Sequence, residues 1–195
     1  VQSRSLPMEP MQTEERRLTV ERNVPVDALY MAFHMCSRNH PDYYAFDMLS
    51  DLLSSGRSSR FVQHLVQDKQ IFNSIDAYIS GSIDNGLFHI VGKPAPEKTL
   101  EEAEKAIWEE LALLTEGSID ENELEKVKNR YESEQIFNNL NYLNVATNLA
   151  YFELIGKAED INTEVEKYRS VTQEQIKRAA KQTFLPENCS VLYYK

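Results

Sequence analysis

The sequence predicts an α+β domain in which an antiparallel-dominated mixed sheet carries helices mainly on one face. Alternating apolar residues in the first half of the chain indicate four strands, and an Asp-Asn-Gly turn at residues 84–86 joins two of them into a hairpin. From residue 100 onward, apolar residues recur at three- and four-residue steps, which is typical of helices, before one last strand. Helices that follow a hairpin-rich sheet favour the α+β class.

Length and charge narrow the range of functions. The chain has 195 residues, enough for one domain with a sizeable core, and we expect residues 1–14 to be an extended lead-in and residues 15–195 a single domain. A formal net charge of −10 argues against nucleic-acid partners, because an acidic surface repels phosphate backbones. We find no stretch apolar enough for a membrane span and no signal peptide. Because the first residue is Val rather than Met, we interpret the chain as a fragment or processed form.

Five strands are predicted, at residues 16–22, 26–36, 74–82, 87–91 and 189–194. In the first of them, Leu18 and Val20 share one face, which indicates a half-buried strand. The second is largely apolar on both faces, which predicts a central strand covered on both sides.

Helices are predicted between and after these strands. An apolar stripe after Pro41 predicts a helix that stops at Gly56, and Ser58 or Ser59 can cap a shorter helix. Further helices begin near residues 100, 120, 160 and 172, and we expect the second of these to break near Asn138.

Several side chains that could suggest chemistry have structural interpretations. Ser58, Ser59 and His64 lack the spacing and surroundings of a serine nucleophile and its base. The acidic run from Glu97 to Glu110 lacks the spacing of a calcium loop, so we interpret it as a solvated helix face.

Cysteines and large aromatic residues also favour structural roles. Cys36 and Cys189 lie in apolar runs without metal-ligand spacing, so we interpret them as buried free thiols, although the sequence leaves a disulfide between them open. We expect the larger aromatic side chains of the helical half to be core or interface anchors; they are Trp108, Tyr131, Tyr142 and Tyr151.

Five short strings, in order along the chain, resemble the second peptidase-fold domain of the insulinase-like zinc peptidases, the family of pitrilysin and the mitochondrial processing peptidase. The strings are EPMQTEERR (9–17), GRSSRF (56–61), LVQDK (65–69), DNGLF (84–88) and ENELEKVKN (121–129). The ending LPEN (185–188) before the final strand also fits, so the resemblance covers nearly the whole chain.

This resemblance implies a repeated α+β unit: two units make a half, and two halves enclose a chamber that cuts peptides. Zinc in this family lies in the first unit of the catalytic half, on an inverted His-x-x-Glu-His helix. The implied partners are therefore a zinc-bearing peptidase domain, in the same or a partner chain, and a peptide substrate. For a bacterial member the resemblance also suggests a periplasmic location, although the residues themselves leave the compartment open.

The zinc helix of that family is missing from this sequence. The four histidines are His34, His40, His64 and His89, and no two of them are close enough to share a helix turn. We therefore expect no catalytic residue, no metal ligand and no cofactor in this chain, with zinc held elsewhere in the parent protein.

The non-catalytic half of the family often supplies an Arg and a Tyr, seven residues apart, to the substrate. The matching positions here are Val66 and Asn73. An apolar Val cannot donate a hydrogen bond to an oxyanion, and Asn is a weak substitute for a phenol. We therefore assign no substrate-binding residue.

The resemblance implies a non-catalytic substrate-chamber or assembly domain of a zinc metalloendopeptidase, whose zinc and catalytic base come from a separate domain. The alternative is a purely structural or binding module of an inactive family member. A third interpretation is an unrelated α+β binding domain, which a different strand order would reveal. A His-x-x-Glu-His motif in sequence upstream of this chain would separate the first two.

Overall fold

The computed structural model describes residues 9–195. Five strands form one sheet in the order β1-β5-β2-β4-β3. They are β1 (Arg16–Val20), β2 (Ala28–Ser37), β3 (Phe72–Ser80), β4 (Asn85–Pro94) and β5 (Cys189–Tyr194). The β1–β5 pair is parallel and the three other pairs are antiparallel, so the predicted antiparallel-dominated mixed sheet is confirmed.

Helices follow the strands in the predicted sequence order. The α-helices are α1 (Tyr43–Ser54), α2 (Leu100–Glu116), α3 (Glu121–Asn138), α4 (Tyr142–Ile155), α5 (Glu164–Arg169) and α6 (Gln173–Thr183). A π-helix spans Phe61–Asp68, and 3-10 helices span Ala158–Thr163 and Pro186–Asn188. Within residues 9–195, no helix is both long and apolar enough to cross a lipid bilayer.

The predicted break between α3 and α4 is present. Helix α3 ends at Asn138, and the side chain of Asn141 caps α4 by accepting a hydrogen bond from the Leu143 backbone N–H at 2.9 Å. A cap of this kind satisfies one of the backbone donors that a helix start leaves free, which explains why the chain begins a new helix there.

The hydrophobic core lies between the sheet and the helices α1, α2 and α6. Strand β2 is central, as predicted, and its inward side chains Leu29, Met31 and Phe33 are all at most 1% exposed. Burial on this scale, at roughly 25 cal/mol per Å² of apolar surface, is the main favourable contribution to folding. The core therefore fixes the sheet against one layer of helices.

The opposite face of the sheet contradicts two predictions. Tyr30 on β2 is 40% exposed and Leu18 on β1 is 61% exposed, so β2 is covered on one side only and β1 is not half-buried. Alternation in a strand sends every second side chain to each face, and here the packed helices lie on one of the two. We call the uncovered side, with Leu18, Leu192, Tyr30 and Val91, the open face.

The turn into the π-helix differs from its predicted cap. Gly56 has a φ of +85°, the left-handed conformation expected of a helix-terminating glycine. Ser59, however, does not cap the next helix, since its hydroxyl donates to the Gly56 carbonyl at 2.8 Å and no side chain caps the π-helix start. The backbone N–H of Lys69 reaches the carbonyl of His64, five residues back, which is the spacing of a π-helix.

Candidate functional site

The structure brings Val66 and Asn73 to the border of one cavity of about 480 Å³. Val66 lies on the π-helix and Asn73 near the start of β3. The connecting loop reverses at Gln70, whose φ of 51° is left-handed, and the Ile71 N–H then donates to the Leu65 carbonyl at 2.9 Å. Residues seven apart in sequence thus face the same space.

The chemistry of this cavity differs from that of an Arg–Tyr pair. Its polar lining side chains are Lys69, Gln70, Asn73 and Lys98, and the described lining contains no guanidinium or phenol. Lys69 is held by Glu109, with 3.2 Å between Nζ and Oε2. The half-buried Val66 offers only methyl groups, so the cavity presents amide and ammonium donors around an apolar wall.

The histidines lie on separate elements: β2 carries His34, the π-helix carries His64, β4 carries His89, and His40 precedes α1. Over residues 9–195, no group of three or more His, Cys, Asp or Glu side chains is arranged to hold a metal ion. Zinc sites need three or four such ligands about 2 Å from the ion, so the residues present do not fit a zinc centre.

Two of these histidines have clear structural partners. His64 Nδ1 lies 2.9 Å from Oε1 of Glu110. The His89 ring stacks on Tyr78 with centroids 4.9 Å apart, and burial lowers its pKa, so this imidazole is neutral at pH 7. Both arrangements hold the histidine rings against neighbouring side chains.

The acidic run on α2 is only partly solvated, which corrects the prediction. Glu104 is 6% exposed and Glu110 is 1% exposed. Burial opposes ionisation of Glu104, but hydrogen bonds from Arg17, Tyr193 and Trp108 outweigh it and lower its pKa. These residues come from both chain ends and from α2, so sequence spacing within the acidic run could not indicate the burial.

A buried polar cluster that the sequence did not reveal lies where β2 leaves the sheet. Arg38 is 8% exposed and forms an ion pair with Glu164, which is 6% exposed and begins α5. The Tyr44 hydroxyl donates to the same carboxylate at 3.1 Å, and the Arg38 guanidinium lies 4.4 Å from the Tyr43 ring centre. This arrangement stabilises the charge of Arg38 away from water.

The same cluster extends along α1 through two carboxyl groups. Burial raises the pKa of Asp47, and the Tyr168 hydroxyl donates a hydrogen bond to it. Burial, together with the nearby Asp47 charge, raises the pKa of Asp51 to about 6. Tyr131 stacks on Tyr168 at 3.6 Å between ring centres, so it is an anchor of the helical layer as predicted. The sequence feature that could have indicated this part of the cluster is the four-residue spacing of Asp47 and Asp51, which places both carboxyl groups on one helix face.

Both cysteines are free thiols, with Cys189 buried and Cys36 partly buried. Burial raises the pKa of Cys189 to about 12 and that of Cys36 to about 11. Because the thiolate is the reactive form, neither thiol has the low pKa of a catalytic cysteine.

Comparison with known proteins identifies the family. The family model of the peptidase M16 inactive domain matches residues 1–131. The chain belongs to this family, the inactive peptidase-fold domains of insulinase-like zinc peptidases, as its sequence strings predicted.

Two curated bacterial relatives match most of this chain. The uncharacterized zinc protease YmxG of Bacillus subtilis is 25% identical over 86% of this chain and 41% of its own length. Zinc protease PqqE of Helicobacter pylori is 23% identical over 96% of this chain and 42% of its own length. The chain thus spans about two fifths of these relatives.

Solved structures show the same fold. A protease from Helicobacter pylori superimposes with a TM-score of 0.91 at 22% identity, over 100% of this chain and 48% of that one. A peptidase M16 inactive domain from Pseudomonas fluorescens gives a TM-score of 0.85 at 14% identity, over 97% of this chain and 45% of that one. At these identities the likeness shows the fold alone.

Proposed function

We propose that this chain is the substrate-chamber and assembly domain of a zinc metalloendopeptidase, and that zinc and the catalytic base are supplied by a separate domain. The observation that carries the proposal is the match of residues 1–131 to the inactive-domain family. We take residues 15–195 as the domain and residues 1–14 as its lead-in. The partners are a zinc-bearing peptidase domain, in the same or another chain, and a peptide substrate.

Two further observations support a non-catalytic role. The four histidines lie on four different parts of the fold, so within the described residues they cannot form a zinc centre. The cavity beside Val66 and Asn73 offers amide and ammonium donors but lacks the guanidinium and phenol of the Arg–Tyr pair by which the family often binds substrate. We therefore assign this cavity to the chamber wall and give it no catalytic residue.

The names of the relatives favour a proteolytic parent over a purely structural module. YmxG and PqqE are both called zinc proteases and are more than twice as long as their matched segment. A parent of similar length has room for a separate zinc-bearing domain.

The test is a zinc and activity measurement on the chain with and without its partner domain. The purified chain, incubated with zinc and desalted, should retain far less than one equivalent by mass spectrometry and should not cleave a fluorogenic peptide. Adding the parent's zinc-bearing domain should produce cleavage that this domain lacks by itself. The matched control replaces the Glu of that domain's His-x-x-Glu-His motif with Gln and should stay inactive.

Stoichiometric zinc in the chain alone would overturn the proposal. A parent without a His-x-x-Glu-His motif would also overturn it and would favour the structural module.

A further inference from the structure

Strand β3 begins with a bulge at the border of the cavity of about 480 Å³. Phe72 is opposite Pro94 in the β3–β4 register. The preceding residue of β4, Lys93, is opposite Ser74, so Asn73 has no partner residue. A bulge interrupts the ladder and redirects a side chain, and bulges are common beside functional sites. Here the bulge places Asn73 in the lining of the cavity.

Two loops form the walls of this cavity, and each contains a residue with a left-handed backbone. Gln70 has a φ of 51° and Glu97 a φ of 69°, and they are the two non-glycine residues with positive φ within residues 9–195. The Ala95 N–H donates to the Ile71 carbonyl at 2.8 Å, which ties the two loops together. Backbones of this kind cost energy and cluster at ligand-binding sites, where the surrounding structure holds them.

Positive charge gathers at this cavity although the chain is acidic. Lys69 and Lys98 both line it, and its lining within residues 9–195 contains no Asp or Glu. Asp68 and Glu97, which are next to these lysines in sequence, are not part of the lining. The chain as a whole has a formal net charge of −10. The cavity therefore attracts an anion, whereas the chain as a whole repels one. We call it the lysine cavity.

The ion pair that Lys69 already makes leaves the lysine cavity open to a ligand. Its Nζ lies 3.2 Å from Oε2 of Glu109, and the two side chains are 41% and 50% exposed. An ion pair this exposed contributes little, because water screens both charges. A ligand carboxylate can therefore take the place of Glu109 beside Lys69, and Glu109 competes with that ligand.

The other lining groups define the kind of anion that fits. Gln70 and Asn73 add amide N–H donors, which the two oxygens of a carboxylate accept. Val66, Phe72 and Pro96 provide an apolar wall, which a free inorganic anion would leave uncovered. A carboxylate on a short hydrocarbon stem satisfies both parts. An acidic side chain and the C-terminal residue of a peptide both have this chemistry.

We propose that the lysine cavity binds a carboxylate of the peptide substrate, supplied by an acidic side chain or by the peptide C-terminus. Lys69 and Lys98 are then residues that determine specificity, and they make the parent protease prefer peptides with a carboxylate at the matching position. The inference rests on the proposed function, since it takes the ligand to be a substrate, and it names the chemistry that the substrate carries.

The first experiment measures peptide binding to the 195-residue chain by nuclear magnetic resonance. Two short peptides have blocked ends and differ only in a central Glu or Gln, and a third has the Gln and a free C-terminal carboxylate. We expect at least one carboxylate peptide to shift the side-chain amide signals of Gln70 and Asn73. The blocked Gln peptide should shift neither at the same concentration. The peptide that binds identifies the source of the carboxylate.

Variants of the same chain show whether the lysine cavity causes this binding. Lys69→Gln with Lys98→Gln should weaken carboxylate binding about tenfold, because an exposed charge pair changes an equilibrium constant by up to about fivefold. Glu109→Gln should strengthen it, because the competing carboxylate is gone. The matched control, Lys105→Gln with Lys181→Gln, removes two exposed lysines outside the lysine cavity and should leave binding unchanged.

The second experiment measures kcat/KM for fluorogenic forms of the same peptides, with the chain combined with the parent's zinc-bearing domain. The carboxylate peptide should be cleaved with a kcat/KM about tenfold above that of the Gln peptide at low ionic strength. This preference should shrink at high salt, since salt screens exposed charges. The double lysine variant should lose the preference, and the double lysine control should keep it.

Equal binding of all three peptides, or a double lysine variant that binds carboxylate as the wild type does, would overturn the inference. Cleavage without preference for a carboxylate would overturn it too, while leaving the proposed function intact. Carboxylate binding in the lysine cavity without any cleavage once the zinc-bearing domain is added would instead overturn the proposed function and support the carboxylate site.

Discussion

Helices α1 and α4 are both rich in apolar residues, yet the fold treats them differently. Helix α1 buries seven of its 12 residues against the sheet and its neighbouring helices, whereas α4 buries one of 14. The difference lies in the neighbours, because α1 has a sheet face beside it and α4 has a short 3-10 helix. An apolar helix therefore shows that a partner surface is needed, without showing where that surface is.

A buried ion pair joins these two regions. Arg38 lies just after β2 at the edge of the core, and Glu164 begins α5 just after the 3-10 helix that packs on α4. The two side chains are 126 residues apart in sequence. The core and the α4 region should differ in how much each contributes to stability. The ion pair between Arg38 and Glu164 is the first place to measure this.

The largest expected loss of stability comes from breaking the Arg38–Glu164 ion pair. Arg38→Ala should lower the free energy of unfolding by about 3–5 kcal/mol, because it leaves the Glu164 carboxylate buried without its cation. Urea denaturation followed by circular dichroism measures the change. In the control, Arg178→Ala removes the exposed ion pair with Asp42 and should cost less than about 1 kcal/mol.

Should Arg38→Ala cost no more than Arg178→Ala, the pair does not hold the α4 region to the core. The double variant Arg38→Met with Glu164→Leu should recover much of the loss, since it removes both charges together.

The next largest change in stability is expected from a buried leucine in α1, which we compare with an exposed leucine in α4. Leu49→Ala in α1 removes a side chain that is 0% exposed and should destabilise the fold by about 2–5 kcal/mol. Leu143→Ala in α4 removes one that is 72% exposed and should change the stability of the monomer by less than about 0.5 kcal/mol. Urea denaturation at low protein concentration measures both, and equal losses would mean that α4 is part of the cooperative core.

A smaller change in stability depends on pH and comes from the Asp51 carboxyl in α1. The pKa of Asp51 in the folded state is about 6, above its ordinary value of 3.8, so folding favours the protonated carboxyl. The stabilisation is complete below the unfolded pKa and is lost as pH rises from about 4 to about 6. The difference between the two pKa values corresponds to at most about 3 kcal/mol from this group.

The measurement is urea denaturation of wild type and Asp51→Asn at several pH values in that window. The wild-type stability should fall relative to that of the variant as pH rises, because Asn does not titrate. A constant difference between the two proteins would contradict the raised pKa.

The smallest expected change in stability is the loss of a helix cap, which we compare between α6 and α4. Thr172 caps α6 in a reciprocal box with Gln175, and Asn141 caps α4. Thr172→Ala should cost about 1 kcal/mol of global stability, and Thr172→Ser should retain most of it. Asn141→Ala should cost less, since α4 contributes little to the core. Thermal unfolding of the three variants measures these losses of stability. A larger loss for Asn141→Ala than for Thr172→Ala would contradict the expectation that α4 contributes little to the core.

Local patterns in the sequence predicted much of the fold. Alternation located the five strands, and the Thr172–Gln175 box located the start of α6. The β3–β4 hairpin is present as predicted, but the turn lies at residues 81–84 rather than 84–86, because Asn85 and Gly86 are already part of β4 and pair with β2. These features depend on residues within a few positions of one another, so a single sequence contains the information. The order of short strings along the chain likewise predicted the family that the comparison identified.

The candidate site was predicted in part. The sequence singled out Val66 and Asn73, and the structure places both at one cavity because they belong to a single helix–loop–strand segment. It did not indicate the Arg38–Glu164 pair or the burial of Glu104 and Glu110, each of which depends on contacts between distant segments.

By itself the sequence determined the elements, their order, the central place of β2 and the absence of a histidine pair suited to zinc. The tertiary structure alone decided which apolar surfaces find a partner. It covers one face of the sheet with α1, α2 and α6 and leaves Leu18, Tyr30 and α4 exposed. The physical reason is that periodicity reports the face on which a segment is apolar, whereas burial depends on what the rest of the chain brings against that face.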